Sequence, residues 1–183
     1  MLNILKLIVK TKIATEQTPL LESIDFENLQ KDLTRFEILD SQTKKALSKS
    51  LIIRHLDSGS SNSEEAELLA LSNPIYDITR FGIDFTASPR HADVLTVSGP
   101  VTRHLKIAMD RTYNAMPHPK IVVAVGDGAC SGSIYENTYA CLGRVDQFLP
   151  VDLYIPGDPP TPEQILKGLL MCKLILIKRK AGK

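Results

Sequence analysis

Short apolar runs alternate with helical segments along the chain from Leu51 onward. Residues 121–125 read IVVAV, an uninterrupted run of mostly β-branched residues that is too short for a typical helix. Such a run is typical of a strand that is buried on both faces of a parallel sheet. The same pattern predicts five extended segments, over residues 51–56, 75–81, 93–98, 120–125 and 151–155.

Helical segments separate the extended ones, and we predict them over residues 64–71 and 101–116 and from Thr161 onward. At Thr161 the sequence TPEQ combines a capping box with a proline at the first helical position. Strands that are separated by helices fold into a mostly parallel sheet with right-handed crossovers. The predicted fold class is therefore α/β, with a mostly parallel sheet flanked by helices.

The N-terminal part of the chain has a different pattern. Apolar residues at helical spacing within residues 1–12 form a stripe, and the opposite side carries lysines. A basic amphipathic helix of this kind binds a membrane surface, a partner's groove or its own domain, and the sequence leaves these alternatives open. Two further helices are predicted near residues 25–36 and 41–49. The predicted domains are an N-terminal amphipathic arm and helical extension over residues 1–50 and an α/β domain over residues 51–183.

Composition and charge exclude several functions. The formal net charge is +1 and no basic stripe is interleaved with aromatic residues, which argues against nucleic-acid binding. The three cysteines, Cys130, Cys141 and Cys172, form no CxxC pair, so neither a disulfide framework nor a zinc site is expected. No apolar run approaches the length that is needed to cross a bilayer. We therefore expect a reducing, cytoplasmic compartment.

Three loops are predicted to meet at one edge of the sheet. Residues 57–63, 126–133 and 156–160 each follow a predicted strand. The carboxyl ends of parallel strands share one edge, and α/β proteins bind ligands there. The loops are rich in Gly, Ser and Pro, as expected of loops around a compact ligand, but Cys130 is their only thiol. They have the layout of a cofactor site without the usual cofactor ligands.

Five ordered motifs lie in the same region: YDITRFG at 76–82, SPRHADVL at 88–95, GPVT at 99–102, MPHPK at 116–120 and PVDLYIPGDPP at 150–160. Together they resemble the 20 kDa subunit family of complex I, which includes the small subunits of energy-converting [NiFe] hydrogenases. The motif IRHLD at 53–57 resembles the formate-hydrogenlyase branch of that family. The resemblance spans about residues 51–172 and implies a flavodoxin-like α/β fold.

The resemblance also implies a [4Fe–4S] cluster, which four cysteines in the three loops hold in the family. The family's first loop reads GSCNxCDxE and this chain has GSSNSEEAE, so the first two ligand positions hold Ser61 and Glu64. The family's GxCA and PGCPP correspond here to GDGA and PGDPP, so the other two positions hold Gly128 and Asp158. Glycine has no side-chain donor, and a carboxylate is a hard ligand that suits a cluster poorly. We therefore predict a degenerate, empty cluster site, with no cofactor and no metal.

Three charged residues match family positions near the cluster. Arg80 and Arg90 either orient a polar network or pair with acidic residues at a subunit interface. Glu67 matches the acidic residue that follows the ligand pair, and it either takes part in proton movement or is a charge on the helix surface. We assign no catalytic residue.

The resemblance implies a subunit of a membrane-associated complex related to energy-converting hydrogenase and respiratory complex I. We predict a structural or coupling subunit, itself not catalytic, that docks between a large-subunit homologue and antiporter-like membrane-arm subunits. Its expected location is peripheral, on the cytoplasmic side of the inner membrane, and contact with lipid through residues 1–12 is one of the alternatives for the arm. One alternative is an electron-transfer subunit, of NADH–quinone oxidoreductase or hydrogenase type, that keeps an iron–sulfur cluster through unusual ligands. Another is a small-molecule or ion-binding module that reuses the emptied pocket.

Overall fold

Seven strands form two sheets in the computed structural model, which describes residues 50–136 and 138–181. The strands are β1 (Leu51–Asp57), β2 (Ile83–Phe85), β3 (Val94–Ser98), β4 (Val101–Thr102), β5 (Ile121–Val125), β6 (Cys141–Gly143) and β7 (Leu153–Ile155). The larger sheet has the order β2-β1-β3-β5-β7, and all of its pairs are parallel. The smaller sheet is the antiparallel pair of β4 and β6. The predicted α/β fold with a mostly parallel sheet is confirmed.

Within the described residues three α-helices lie between strands, α1 (Ser63–Ala70), α2 (Lys106–Ala115) and α3 (Asp127–Ser131), and a fourth, α4 (Pro162–Ala181), follows β7. The predicted segments over 1–12, 25–36 and 41–49, and with them almost the whole of the predicted N-terminal extension, lie outside the described residues. None of the helices within the described ranges is long and apolar enough to cross a membrane.

The core lies on both faces of the central strands. Every residue of β3 and of β5 is buried, as the uninterrupted apolar run of β5 predicts. On one face, a hydrophobic cluster that includes Ile53 and Ile121 packs against α1 and α4. On the other face, a second cluster that includes Leu95 and Val122 packs against Met109 of α2. Burial on both faces fixes the position of the central strands, and the loops that follow them lie at their carboxyl ends.

The predicted extended segment over residues 75–81 is wrong. Residues Ile78–Phe81 form a 3₁₀ turn, and the edge strand begins two residues later, at Ile83. Asp77 and Gly82 flank the turn with φ angles of 41° and 64°, which an extended strand does not accommodate. The turn buries Ile78 in the cluster with α1, and this tertiary contact outweighs the local preference for a strand.

The predicted helix over residues 101–116 begins too early. Val101 and Thr102 form β4 and pair with Gly143 and Cys141 of β6. The N–H group of Thr102 also donates to the carbonyl of Ser58, at 2.8 Å. Because these backbone groups are bound to distant parts of the chain, the helix starts only at Lys106.

The predicted capping box at the start of α4 is confirmed. The N–H group of Gln164 donates to Thr161 Oγ1 at 3.4 Å, and the N–H group of Thr161 donates to Gln164 Oε1 at 2.9 Å. We expect Thr161→Ala to lower the free energy of unfolding by about 1 kcal/mol, because it removes one of these two bonds. Urea denaturation measures this change, and Thr161→Ser, which keeps the hydroxyl, is the matched control. Equal losses in both variants would contradict a capping role for the hydroxyl.

Candidate functional site

The loop between β1 and α1 is held against the end of β3. Ser58 is fully buried, and its hydroxyl donates to the carbonyls of Ser98 and Gly99, both at 2.8 Å. The N–H groups of Gly59 and Ser60 donate to Asp57 Oδ1, both at 2.7 Å. These bonds determine the path of the first loop without any ligand.

The second and third loops are bonded to each other. The N–H group of Gly126 donates to the carbonyl of Ile155 at 2.8 Å, and that of Asp127 donates to the carbonyl of Gly157 at 2.9 Å. Asp127 Oδ1 in turn accepts from the N–H group of Gly157 at 2.8 Å. The loop after β5 and the loop after β7 therefore form one unit at the carboxyl end of the sheet.

The four predicted cluster positions differ in their surroundings. Glu64 is only 4% exposed, and its carboxylate lies against Gly126: a Cβ atom on that glycine would be 2.5 Å from Glu64 Oε1. Gly128 is buried against Pro100. Ser61 and Asp158 are exposed, and Ser61 Oγ lies 2.8 Å from the hydroxyl of Ser63. The structure thus brings Glu64 to the second loop, while Ser61 and Asp158 lie at the surface of their own loops.

The space next to Gly128 is already occupied. A Cβ atom on Gly128 would lie 2.9 Å from Cδ of Pro100, 3.1 Å from Cα of Gly99 and 3.2 Å from N of Pro100. A cysteine at this position would therefore require the surrounding backbone to move. The close contact is a physical reason for glycine at a position where the family pattern has a ligand.

The side chains at the four positions do not fit a thiolate-ligated cluster. They offer one hydroxyl, two carboxylates and, at Gly128, no donor, whereas [4Fe–4S] clusters normally use four thiolates. In residues 50–136 and 138–181, no group of three or more His, Cys, Asp or Glu side chains is placed to hold a metal ion.

Cys130 does not supply the missing thiolate. It lies on α3, is 4% exposed, and its Sγ is 3.6 Å from the carbonyl oxygen of Ala124. Burial, with a smaller contribution from the charge of Asp127, raises the pKa of the Cys130 thiol to about 12. The group is therefore a neutral thiol at physiological pH, and thiols bind metals as thiolates.

A polar network that the sequence analysis missed connects β1, α1 and β3. The carboxylate of Glu65 accepts hydrogen bonds from the hydroxyls of Ser60 and Ser98 and lies 3.2 Å from His55 Nε2. His55 Nδ1 lies 3.1 Å from Thr96 Oγ1. The only sequence signal was a pair of polar residues, Arg54 and His55, within the predicted strand over residues 51–56. The pairing itself depends on how α1 packs against the sheet.

The network shifts the pKa values of its two ionisable groups. Burial lowers the pKa of His55 below 6.5, and the hydrogen bond and charge of Glu65 oppose this only in part. For Glu65, burial opposes ionisation, but the hydrogen bonds from Ser60, Ser98 and His55 together hold its pKa below 4.5. The network therefore favours a neutral imidazole next to an ionised carboxylate.

Acid should destabilise the protein through His55. The pKa of His55 is lower in the folded state than its value of 6.5 in the unfolded chain. The contribution of His55 to stability is therefore complete above pH 6.5 and is lost as the pH falls from 6.5 towards the folded-state pKa. We expect the free energy of unfolding to decrease from pH 7.5 to 5.5 and His55→Gln to flatten this dependence. Urea denaturation across this range is the measurement, with the exposed His91→Gln as the control. A slope in His55→Gln equal to that of the parent would contradict this assignment.

The three further charged residues lie apart from this network. Arg80 is exposed, and its guanidinium stacks over the ring of Phe81 at 4.8 Å. Arg90 is exposed in the short turn Pro89–His91, and Glu67 is half-buried on α1. Within the described ranges none of the three forms an ion pair. A role at a subunit interface stays a prediction for them.

Comparison with known proteins gives consistent matches. The family described as NADH ubiquinone oxidoreductase, 20 Kd subunit, matches residues 62–172. The chain is 38% identical to the probable membrane-bound hydrogenase subunit mbhJ of Pyrococcus furiosus, over 81% of this chain and 89% of that protein. It is 40% identical to formate hydrogenlyase subunit 7 of Escherichia coli K12, over 74% of this chain but only 53% of that protein.

A solved structure supports the same relationship. A chain of the membrane-bound sulfane sulfur reductase, an archaeal respiratory membrane complex, superposes with a TM-score of 0.64 and 31% identity. The match covers 75% of this chain and 76% of that chain. These three relatives are thus subunits of a membrane-bound hydrogenase, a formate hydrogenlyase and a respiratory membrane complex.

Proposed function

Because the chain belongs to the family of the NADH ubiquinone oxidoreductase 20 kDa subunit, we propose that it is a subunit of a membrane-associated complex related to energy-converting hydrogenase and complex I, and that it has lost the family's cluster. Its role in that complex is structural or coupling rather than redox. The large-subunit homologue and the antiporter-like membrane-arm subunits are its proposed neighbours, at the cytoplasmic side of the inner membrane.

The packing at Gly128 is the observation that carries this proposal. A Cβ atom there would lie 2.9 Å from Pro100, and the buried carboxylate of Glu64 lies against the same loop at Gly126. Protein atoms thus occupy space that a ligand-bearing side chain at Gly128 would need. Hydrogen bonds also hold the first loop to the end of β3 and the second loop to the third, which supports a scaffold that has been retained for its shape and surface.

Iron and acid-labile sulfide analysis tests the loss of the cluster. The complex is purified anaerobically from its native host through a tag on this chain, and the chain is then separated from its partners. We expect substoichiometric iron and sulfide in this chain, and no iron–sulfur absorption after reconstitution with iron and sulfide. The matched control is a relative that carries the four family cysteines, treated in the same way. Stoichiometric cluster iron in this chain would support the rival electron-transfer role instead.

The same purification tests membership of a complex. We expect a large-subunit homologue and membrane-arm subunits to co-purify with this chain in fixed stoichiometry. A chain that purifies alone from its native host would contradict the proposal and would favour a small-molecule or ion-binding module.

A further inference from the structure

The strand β1 has a free edge at its carboxyl end. It pairs with β3 over Ile53–Asp57 but with β2 only over Leu51–Ile53, because β2 ends at Phe85. Where β2 ends, α1 and residues 85–87 enclose an open cleft of about 460 Å³. The residues that line it are Arg54, His55, Glu65, Leu68, Leu69, Ser72, Phe85, Thr86 and Ala87.

Arg54 carries the fixed positive charge of this cleft and is not compensated within the described part of the chain. The residue is half-buried, and its Nε atom is buried without a hydrogen-bond partner. Nor does Arg54 form an ion pair with any residue that the structure describes. By contrast, Arg179 of α4 is paired with Asp152. A buried donor that lacks a partner is costly, so Arg54 is poised to bind an acceptor from outside the described residues.

Glu65 is not the missing partner, although it lines the same cleft. Its carboxylate already receives hydrogen bonds from Ser60 and Ser98 and contacts His55. Its charge is therefore stabilised by groups on its own side of the cleft. The unpaired charge that remains is the guanidinium, which calls for a carboxylate or another anion.

Part of the cleft wall is apolar. Leu68 and Phe85 lie in or against the hydrophobic core, and Leu69 exposes 74% of its surface on the outer side of α1. An apolar side chain next to a carboxylate matches this combination of walls and charge. A phosphate headgroup alone would leave the exposed leucine uncovered.

We propose that this cleft binds an extended segment of a partner subunit that presents a carboxylate to Arg54 and an apolar side chain to Leu69 and Phe85. The segment would run along the free edge of β1, where an added strand finds backbone partners. Arginine is well suited to this contact because its guanidinium binds a carboxylate with two parallel hydrogen bonds. The inference rests on the proposed function, since it requires a partner subunit.

Site-specific photo-crosslinking in the native host tests the contact. A photoreactive phenylalanine analogue replaces Leu69 in the full chain, and mass spectrometry identifies the crosslinked residues. We expect a partner segment with an Asp or Glu next to an apolar residue. Arg54→Gln should lower the crosslink yield roughly tenfold or more, because loss of one member of a desolvated charge pair costs that much affinity. Arg111→Gln, which removes an exposed arginine on α2, should leave the yield unchanged.

A charge exchange separates a direct contact from a folding defect. Arg54→Glu should abolish the crosslink, and replacement of the partner's crosslinked acid by arginine should restore it. Crosslinks to residues 1–49 of the same chain, to lipid, to a segment without an acidic residue, or at a yield that is independent of Arg54 would overturn the inference while the complex still assembles. Failure of the proposed function is distinguishable from this, because the parent chain would then purify without partners.

Discussion

The chain with Ser61→Cys, Glu64→Cys, Gly128→Cys and Asp158→Cys is expected to take up less than one [4Fe–4S] cluster per molecule and to be less stable than the parent. The decisive position is Gly128, where the new side chain would overlap Pro100. Forcing extra atoms into a well-packed site costs about 1–3 kcal/mol, a large share of a typical domain stability of about 5–15 kcal/mol. Iron and sulfide analysis after reconstitution, together with urea denaturation of the apo form, measures both effects.

The other three substitutions should contribute less. Ser61 and Asp158 are exposed, so cysteine there meets little resistance. The structure gives Glu64 no cationic partner among the described residues; its hydrogen-bond donor is the hydroxyl of Ser63, at 2.9 Å. No ion pair is therefore broken when it is replaced. The triple variant that keeps Gly128 is the matched control, and its stability should lie closer to that of the parent.

A double-mutant cycle identifies the cause of the loss. Pro100→Ala removes the Cδ atom that a cysteine at Gly128 would meet first. If the overlap is the cause, Gly128→Cys should cost less in the Pro100→Ala background than in the parent. Full cluster occupancy in the quadruple variant with unchanged stability would mean that the site is still open and preorganised, which contradicts the proposed refilling.

Gly99→Ala is expected to lower the free energy of unfolding by about 2–5 kcal/mol. Gly99 follows β3 with φ +69°, in the left-handed region that disfavours residues with a Cβ atom. A Cβ atom there would also overlap the backbone nitrogen of Ser60 and lie 2.6 Å from the carbonyl carbon of Gly59. Both neighbours are backbone atoms, so the first loop would have to move as a whole. Thermal and urea denaturation measure the change.

Gly82→Ala isolates the contribution of the overlap. Gly82 has a similar φ of +64°, but its Cβ would make only ordinary contacts, with Nζ of Lys173 at 3.4 Å and Cα of Ser50 at 3.9 Å. The expected loss is about 1–2 kcal/mol, from the backbone conformation alone. Similar losses in the free energy of unfolding at the two glycines would show that the overlap with the first loop at Gly99 contributes little to the destabilisation. A displaced first loop should also disturb the hydrogen bond from Ser60 to Glu65. Because this bond lowers the pKa of Glu65, its loss should change the pH dependence of stability below pH 4.5.

The main strands, the α/β class and the start of α4 could be predicted from the sequence. Residues 121–125 are apolar at every position, and this local pattern is sufficient for a central strand because burial on both faces leaves little choice. Thr161 and Gln164 bond within one helical turn, so their capping box is also a local property. The parallel topology, which the helices between the strands predict, places the three loops at one edge of the sheet.

The contacts that give the site its chemistry were decided by the tertiary structure. Ser98 meets Glu65 across 33 positions of the chain, and Pro100 fills the space beside Gly128 only because the loop after β3 reaches the second loop. Arg54 has no ion-pair partner among the described residues and lies where β2 stops at Phe85, although its neighbours in sequence give no sign of this. Periodicity reports which face of an element is buried, whereas these contacts depend on register, strand length and loop path. Those features arise from interactions between distant segments, so the sequence by itself determined the scaffold and the packing of the scaffold determined the site.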